Sequence, residues 1–369
     1  MFGACAVALV LVFPGSAGAS MTDVTSSFWA RTAVLWSVKA DWIRPRATNH
    51  FGLAHTASRV TASRVLANLY RERTGTPVAA DPYTQAVAAH WMAAGAGPDG
   101  TITQREFDTG ALRVLGLLST AREIGHLRTA DGWRPSLPKG FGVEQVIRAI
   151  GARVNAPEGS DQWEEWPGQT LMRADLAEEA YQLAHLPSWA GALAEQKTAV
   201  ATALPAWTPL QRAVLGFALR YAGAPYVWGG EYPTPNSPYG PQAAGGFDCS
   251  GFVWWVMKMR TYHVGSVSWS GSSQILGRDT YSMARALPTS RRIPRSSLRP
   301  GDILFWSSAP NGVKTAWSTV YHAGIYLGNG WTINSHGSGD GVTLDYMGSG
   351  AGWYHDAFAF GWRVMPAGK

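Results

Sequence analysis

The sequence predicts an α+β fold preceded by an all-α region, and three observations lead there. From residue 28 to 186 apolar side chains recur every three or four positions, the period of one-sided helices. From Thr208 onward the texture changes to glycine, aromatics and short alternating runs such as "HAGIYLG" and "GVTLDY", the period of strands. Across all 369 residues 46% are apolar and only 15% charged, a balance that suits packed domains and excludes a solvated low-complexity chain.

In chain order, the first segment is "MFGACAVALVLVFPGSAGAS", uncharged, apolar from Ala4 to Phe13 and closed by Ala17-Gly18-Ala19. That pattern predicts a secretory signal over residues 1–19, cleaved near Ala19, and hence a secreted or wall-associated protein. Its apolar run is too short to cross a bilayer, which takes about 18 or more residues. Cleavage removes Cys5 and leaves Cys249 as the single thiol. A lone cysteine outside the cell is a reactive group, an intermolecular bridge or a small buried hydrophobe.

Helices are expected in "SRVTASRVLANLYRER", "ITQREFDTGALRVLGLLSTAREI", "GVEQVIRAIGARV" and "MRADLAEEAYQLAHL", several behind a Thr or Asp able to cap them. An internal repeat sets Thr103–Leu117 on Met172–Leu186, with Glu106 on Asp175 and Phe107 on Leu176, and "VTASRVLANLYR" from Val60 is a looser copy. The pattern of helix, loop and "T-x-x-E-F" opening a second helix resembles S-layer-homology repeats. That resemblance implies that residues 28–186 bind anionic cell-wall polymers. Residues 187–207, rich in Pro, Ala and Trp, are expected to be a linker to the domain over 208–369.

The chemistry centres on "GGFDCSGFVWW". Asp248 is a candidate N-cap, which sets Cys249 in the first turn of a helix, where the helix dipole favours a thiolate and free N–H groups can hold an oxyanion. A cysteine nucleophile also needs a base. Of nine histidines, His322 opens the strand "HAGIYLGNG" and stands at a strand end. Asn334 and His336 in "WTINSHG" share one face of an extended segment. Either of them can fix the tautomer of His322.

Four stretches in order, "APYVWGG", "FDCSGFV", "LRPGDILFW" and "HAGIYLGNG", resemble the NlpC/P60 cell-wall peptidases. The resemblance implies a papain-like domain with helices packed on a small antiparallel sheet. It further implies cleavage of peptidoglycan stem peptides, often between D-glutamate and the following diamino acid. It assigns Cys249 as nucleophile, His322 as base and Asn334 as third triad member, with His336 the alternative. Tyr226 matches an active-site tyrosine near the oxyanion, and Asp248 and Ser250 match neighbours that shape substrate binding. The chain departs from the pattern in a long Pro/Gly-rich insertion, "EYPTPNSPYGPQAAG", expected beside the cleft.

No cofactor and no metal are expected; no H-E-x-x-H or similar close ligand spacing occurs. The net charge of +6 is scattered, which suits wall polymers and gives no nucleic-acid footprint. Two rival readings stand beside the endopeptidase: a thiol-dependent amidase or acyl transferase, and a non-catalytic wall-binding protein. The helical half anchors the enzyme or occludes it.

Overall fold

The computed structural model describes residues 21–153, 165–194, 204–337, 341–348, 350 and 352–366. The expected signal segment with Cys5 and Ala19 lies outside them.

The helical half contains α1 Arg31–Lys39, α2 Arg59–Thr74, α3 Pro82–Ala88, α4 Gln104–Val114, α5 Leu118–Ile124, α6 Phe141–Ala149 and α7 Arg173–Ala184. The sequence reads "ITQREF" to "STAREI" as one amphipathic helix, but it breaks into α4 and α5. Gly116 there adopts φ +74°, a conformation that ends a right-handed helix. Thr103 caps α4 in a reciprocal capping box with Glu106.

The starts of α2, α4 and α7 meet in a ring. Thr56 bridges Met172, Ser58 bridges Thr101, and Thr103 bridges Thr170. The first residue of each helix is polar and buried: Arg59, Gln104 and Arg173. Arg59 donates to the Ala93 carbonyl at 2.9 Å, while Arg173 donates to those of Phe51 and Arg44 at 3.0 and 2.7 Å. Each arginine thus satisfies carbonyls of a neighbouring loop, as buried backbone requires.

The second half opens with α8, Pro209–Leu219, behind a Thr208–Gln211 capping box, continues through α9, Cys249–Met257, and α10, Thr280–Ala286. Its sheet has six strands: β1 Arg292–Ile293, β2 Ile303–Ser307, β3 Val320–Gly328, β4 Trp331–His336, β5 Gly341–Tyr346 and β6 Phe358–Trp362. They lie in the order β5-β4-β3-β2-β6-β1, every pair antiparallel. Helix α9 packs across β3 and β4. Between β5 and β6 lies one short helix, α11, Trp353–Asp356.

The halves do not hang on a free tether. One hydrophobic core runs through both, from Val34, Phe107 and Ile147 to Leu215, Phe252 and Ile325. Of the expected linker, residues 195–203 lie outside the described residues, and its end is packed: Leu204 bridges Thr129, and Trp207 lies tilted against Trp133 and donates to the Leu327 carbonyl at 2.9 Å. Apolar burial explains why: tryptophan carries a large hydrophobic area and one donor, and both are satisfied here.

Candidate active site

Helix α9 begins at Cys249 because Asp248 is extended and its carboxylate takes the Gly251 N–H at 2.5 Å. The Asp248 N–H in turn donates to the Gly230 carbonyl at 2.9 Å. This presses the "YVWGG" stretch against the first turn of α9, so closely that a Cβ on Gly251 would stand 2.0 Å from that carbonyl oxygen. Glycine is required there for space. Tyr226 bridges Phe247 in the same layer and lays its ring against Gly337.

The sulfur of Cys249 lies 3.5 Å from the Thr280 hydroxyl, with the backbone N–H groups of Ala323 and Ser250 beside it. Ala323 is the residue after His322, so helix α9 and strand β3 meet at the sulfur. His322, on β3 opposite Trp306, bonds through Nε2 to Asn334 Oδ1 at 2.8 Å. With Nε2 engaged, Nδ1 is the nitrogen left to accept a proton. Gly324 makes this approach possible, since a Cβ there would meet the Asn334 Cβ at 2.8 Å. His336 stands beside His322, the two rings edge-on with centroids 5.1 Å apart. Trp306, Trp353 and Tyr354 complete an aromatic box around the imidazole.

Burial governs the charge state. It pushes the Cys249 thiol up to about 11, with the Asp248 carboxylate adding to the rise. It pulls His322 down to about 3, with His336 beside it acting in the same direction. Burial thus opposes the thiolate that the helix start favours: desolvation of the charged form acts against the dipole and the N–H donors.

Ser250 donates from its hydroxyl to Asp248 at 2.9 Å. Arg278, which sequence reasoning passed over, binds this whole corner. Its guanidinium reaches Glu231 Oε2, the Asp248 carboxylate at 3.5 Å, the Ser250 hydroxyl at 3.1 Å, and the carbonyls of Gly229 and Gly230 at 3.1 and 3.2 Å. Only arginine has a planar fork with enough donors for that set. Asp302 of "RPGDILFW" sits away from this chemistry, pairing with Arg363 and capping the Arg299 N–H at the turn before β2. Among the described residues no group of His, Cys, Asp and Glu is placed to hold a metal ion.

The insertion is a folded hairpin. Glu231–Tyr232 pairs with Gly246–Phe247 and Asn236–Ser237 with Gly240–Pro241. The Gln242 amide ties its ends, donating to the carbonyls of Tyr232 and Ala244 at 2.6 and 2.7 Å. Trp166 of the helical half donates to the Gly245 carbonyl at 2.9 Å.

Residues 223–360 match the NlpC/P60 family. The C-terminal region is an NlpC/P60 domain. It has the papain-like α+β fold of that family, and the helical half lies outside the match. A probable endopeptidase of Mycobacterium tuberculosis is 34% identical over 145 residues, covering 39% of this chain and 28% of that protein. A bifunctional muramidase/DL-endopeptidase of Bacillus subtilis is 29% identical over 143 residues, 39% of this chain and 33% of the relative. The match thus spans about a third or less of each curated relative. Among solved structures, the NlpC/P60 domain of the peptidoglycan hydrolase SagA is 27% identical over 42% of this chain and 97% of its own, with a TM-score of 0.27. A non-catalytic NlpC/P60 protein of M. tuberculosis, adapted to peptidoglycan binding, is 18% identical over 43% of this chain and 100% of its own, with a TM-score of 0.29.

Proposed function

We propose that the protein is a secreted peptidoglycan endopeptidase that hydrolyses a stem-peptide bond, D-glutamyl to diamino acid, with Cys249 as nucleophile, His322 as base and Asn334 as the third member of the triad. The observation that carries this reading is the packing of α9 on β3, which brings the Ala323 N–H, next to His322, beside the Cys249 sulfur, while Asn334 holds His322 Nε2 at 2.8 Å. Relatives named probable endopeptidase and muramidase/DL-endopeptidase support it.

In this reading Cys249 and His322 rest as a neutral pair and react as a unit. His322 takes the thiol proton at Nδ1 as the sulfur attacks the amide carbonyl, so charge forms only as the bond forms. The Tyr226 hydroxyl and the N–H groups at the α9 start hold the oxyanion. His322 then returns the proton to the leaving amine, and water resolves the acyl-enzyme by the reverse path. Asp248 and Ser250, held by Arg278, shape the substrate side of the nucleophile. In this reading the helical half docks the enzyme on wall polymers, as its resemblance to S-layer-homology repeats implies.

Mass spectrometry of defined stem peptides tests the proposal. Wild-type protein is expected to yield two fragments that name the bond, and Cys249→Ala none; intact peptides with both would sink it.

A further inference from the structure

The triad does not end at Asn334. The Asn334 amide donates from Nδ2 to Asp345 Oδ2 at 3.0 Å, and the Thr343 hydroxyl donates to the same oxygen at 2.7 Å. All three residues are buried. The register of β4 on β5 sets Asn334 opposite Thr343, and Asp345, two residues on, shares its face. An ionised carboxylate only accepts hydrogen bonds, so Asp345 obliges Asn334 to turn its NH2 outward and its oxygen toward His322. The Tyr354 hydroxyl, 3.2 Å from that oxygen, acts in the same sense. An oxygen facing Nε2 selects the imidazole tautomer protonated at Nε2 and bare at Nδ1.

The strand bearing Asp345 is held in turn by the helical half. Gln145 of α6, buried, accepts the Leu344 N–H at 2.8 Å. Beside it a cavity of about 360 Å³ separates α6 and α7 from β5, with Arg148, Gln182, His185 and Asp345 among its walls. The charged and titratable groups facing Asp345 are therefore His336 and, through Asn334, His322 from its own sheet, and Arg148 and His185 from the helical half.

We propose that Asp345 is a positioning residue, the outer member of a Cys249–His322–Asn334–Asp345 relay, and that the helical half holds this member in register through Gln145. The inference rests on the endopeptidase reading for its kinetic consequence but not for its geometric one. Fixing a ligand's tautomer through a second partner typically changes activity by about 10–100-fold when that partner is lost.

The test uses the full chain and two readouts. Side-chain 1H–15N spectra report which nitrogen of His322 carries the proton, and steady-state kinetics on the stem peptide separates kcat from KM. Asp345→Leu is expected to populate the Nδ1–H tautomer and lower kcat about tenfold or more, with KM within about twofold. Asp345→Asn, which keeps an oxygen acceptor, is expected to lie between it and wild type. Thr343→Val, a milder change that leaves the carboxylate less firmly aimed, is expected to shift the tautomer in the same direction if Asp345→Leu fails to fold. A His322 that stays protonated at Nε2 in these variants, with kcat unchanged, overturns the proposal. Absence of peptide cleavage by wild type, with the tautomer shift present, would instead count against the endopeptidase reading alone.

Discussion

At Cys249 the local and the tertiary arguments pull in opposite directions. A helix start lowers a thiol pKa, yet Cys249 is only 9% exposed and its thiol is pushed up to about 11. His322, 5% exposed, moves down to about 3. The alkylation rate of Cys249, followed peptide by peptide, is therefore expected to climb through alkaline pH toward about 11 without levelling near the ordinary thiol range. A plateau by about pH 7 would contradict the neutral pair. The same shifts set the sign of stability. As pH falls from about 6.5 toward 3 an unfolded chain takes up a proton that folded His322 refuses, so folding weakens in that window. As pH rises from about 9 to 11 the unfolded chain releases a thiol proton that the folded one keeps, and stability falls again. Asp248, Cys249 and His322 were legible because each sits in a short pattern with chemical meaning. Asp345 was not: in "GVTLDY" a polar residue on an alternating strand reads as solvent-facing, and only the pairing of β5 with β4 buries it.

Elements place these residues by close approach of backbone. The start of α9 and the "YVWGG" turn touch through Gly251 and the Gly230 carbonyl, with the Arg278 guanidinium 2.7 Å from where a Cβ would stand. Gly251→Ala is expected to destabilise the fold by about 1–3 kcal/mol, the usual range for overpacking, and to shift Cys249 relative to β3. Thermal denaturation together with peptide turnover checks this; a Tm equal to wild type would mean the turn can yield. Helix α8 and strands β3 and β5 were predictable from the Thr208–Gln211 cap and the alternating runs "HAGIYLG" and "GVTLDY", although both strands are buried almost throughout. The break after α4 was not, because a single glycine inside an amphipathic run is tolerated as often as it terminates.

For the whole molecule the question left by the sequence was whether the helical half is a tether or a cover. The shared core and the Gln145, Trp166 and Trp207 hydrogen bonds make it a structural neighbour of the catalytic half. Expressing residues 204–369 alone is expected to bare that core, lowering Tm and increasing binding of an apolar dye, with turnover reduced. Higher turnover with an unchanged Tm would identify the helical half as a removable inhibitor instead. Neither the shared core nor the ring of helix starts could be read from the chain, because both are contacts between segments of high sequence separation.

The insertion hairpin carries a last consequence. Its two ends are zipped by Glu231–Phe247 and Tyr232–Gly246 pairing and pinned by Gln242 and Arg278, while its tip reaches α9 through side chains: Tyr239 stands edge-on to Trp254, centroids 5.0 Å apart, and Ser237 donates to the Arg278-bound Glu231 at 3.3 Å. The tip is thus coupled to the frame it hangs from: a change at Tyr239 or Ser237 is felt at α9 and at the Arg278 corner, whereas the paired ends keep the register of the hairpin.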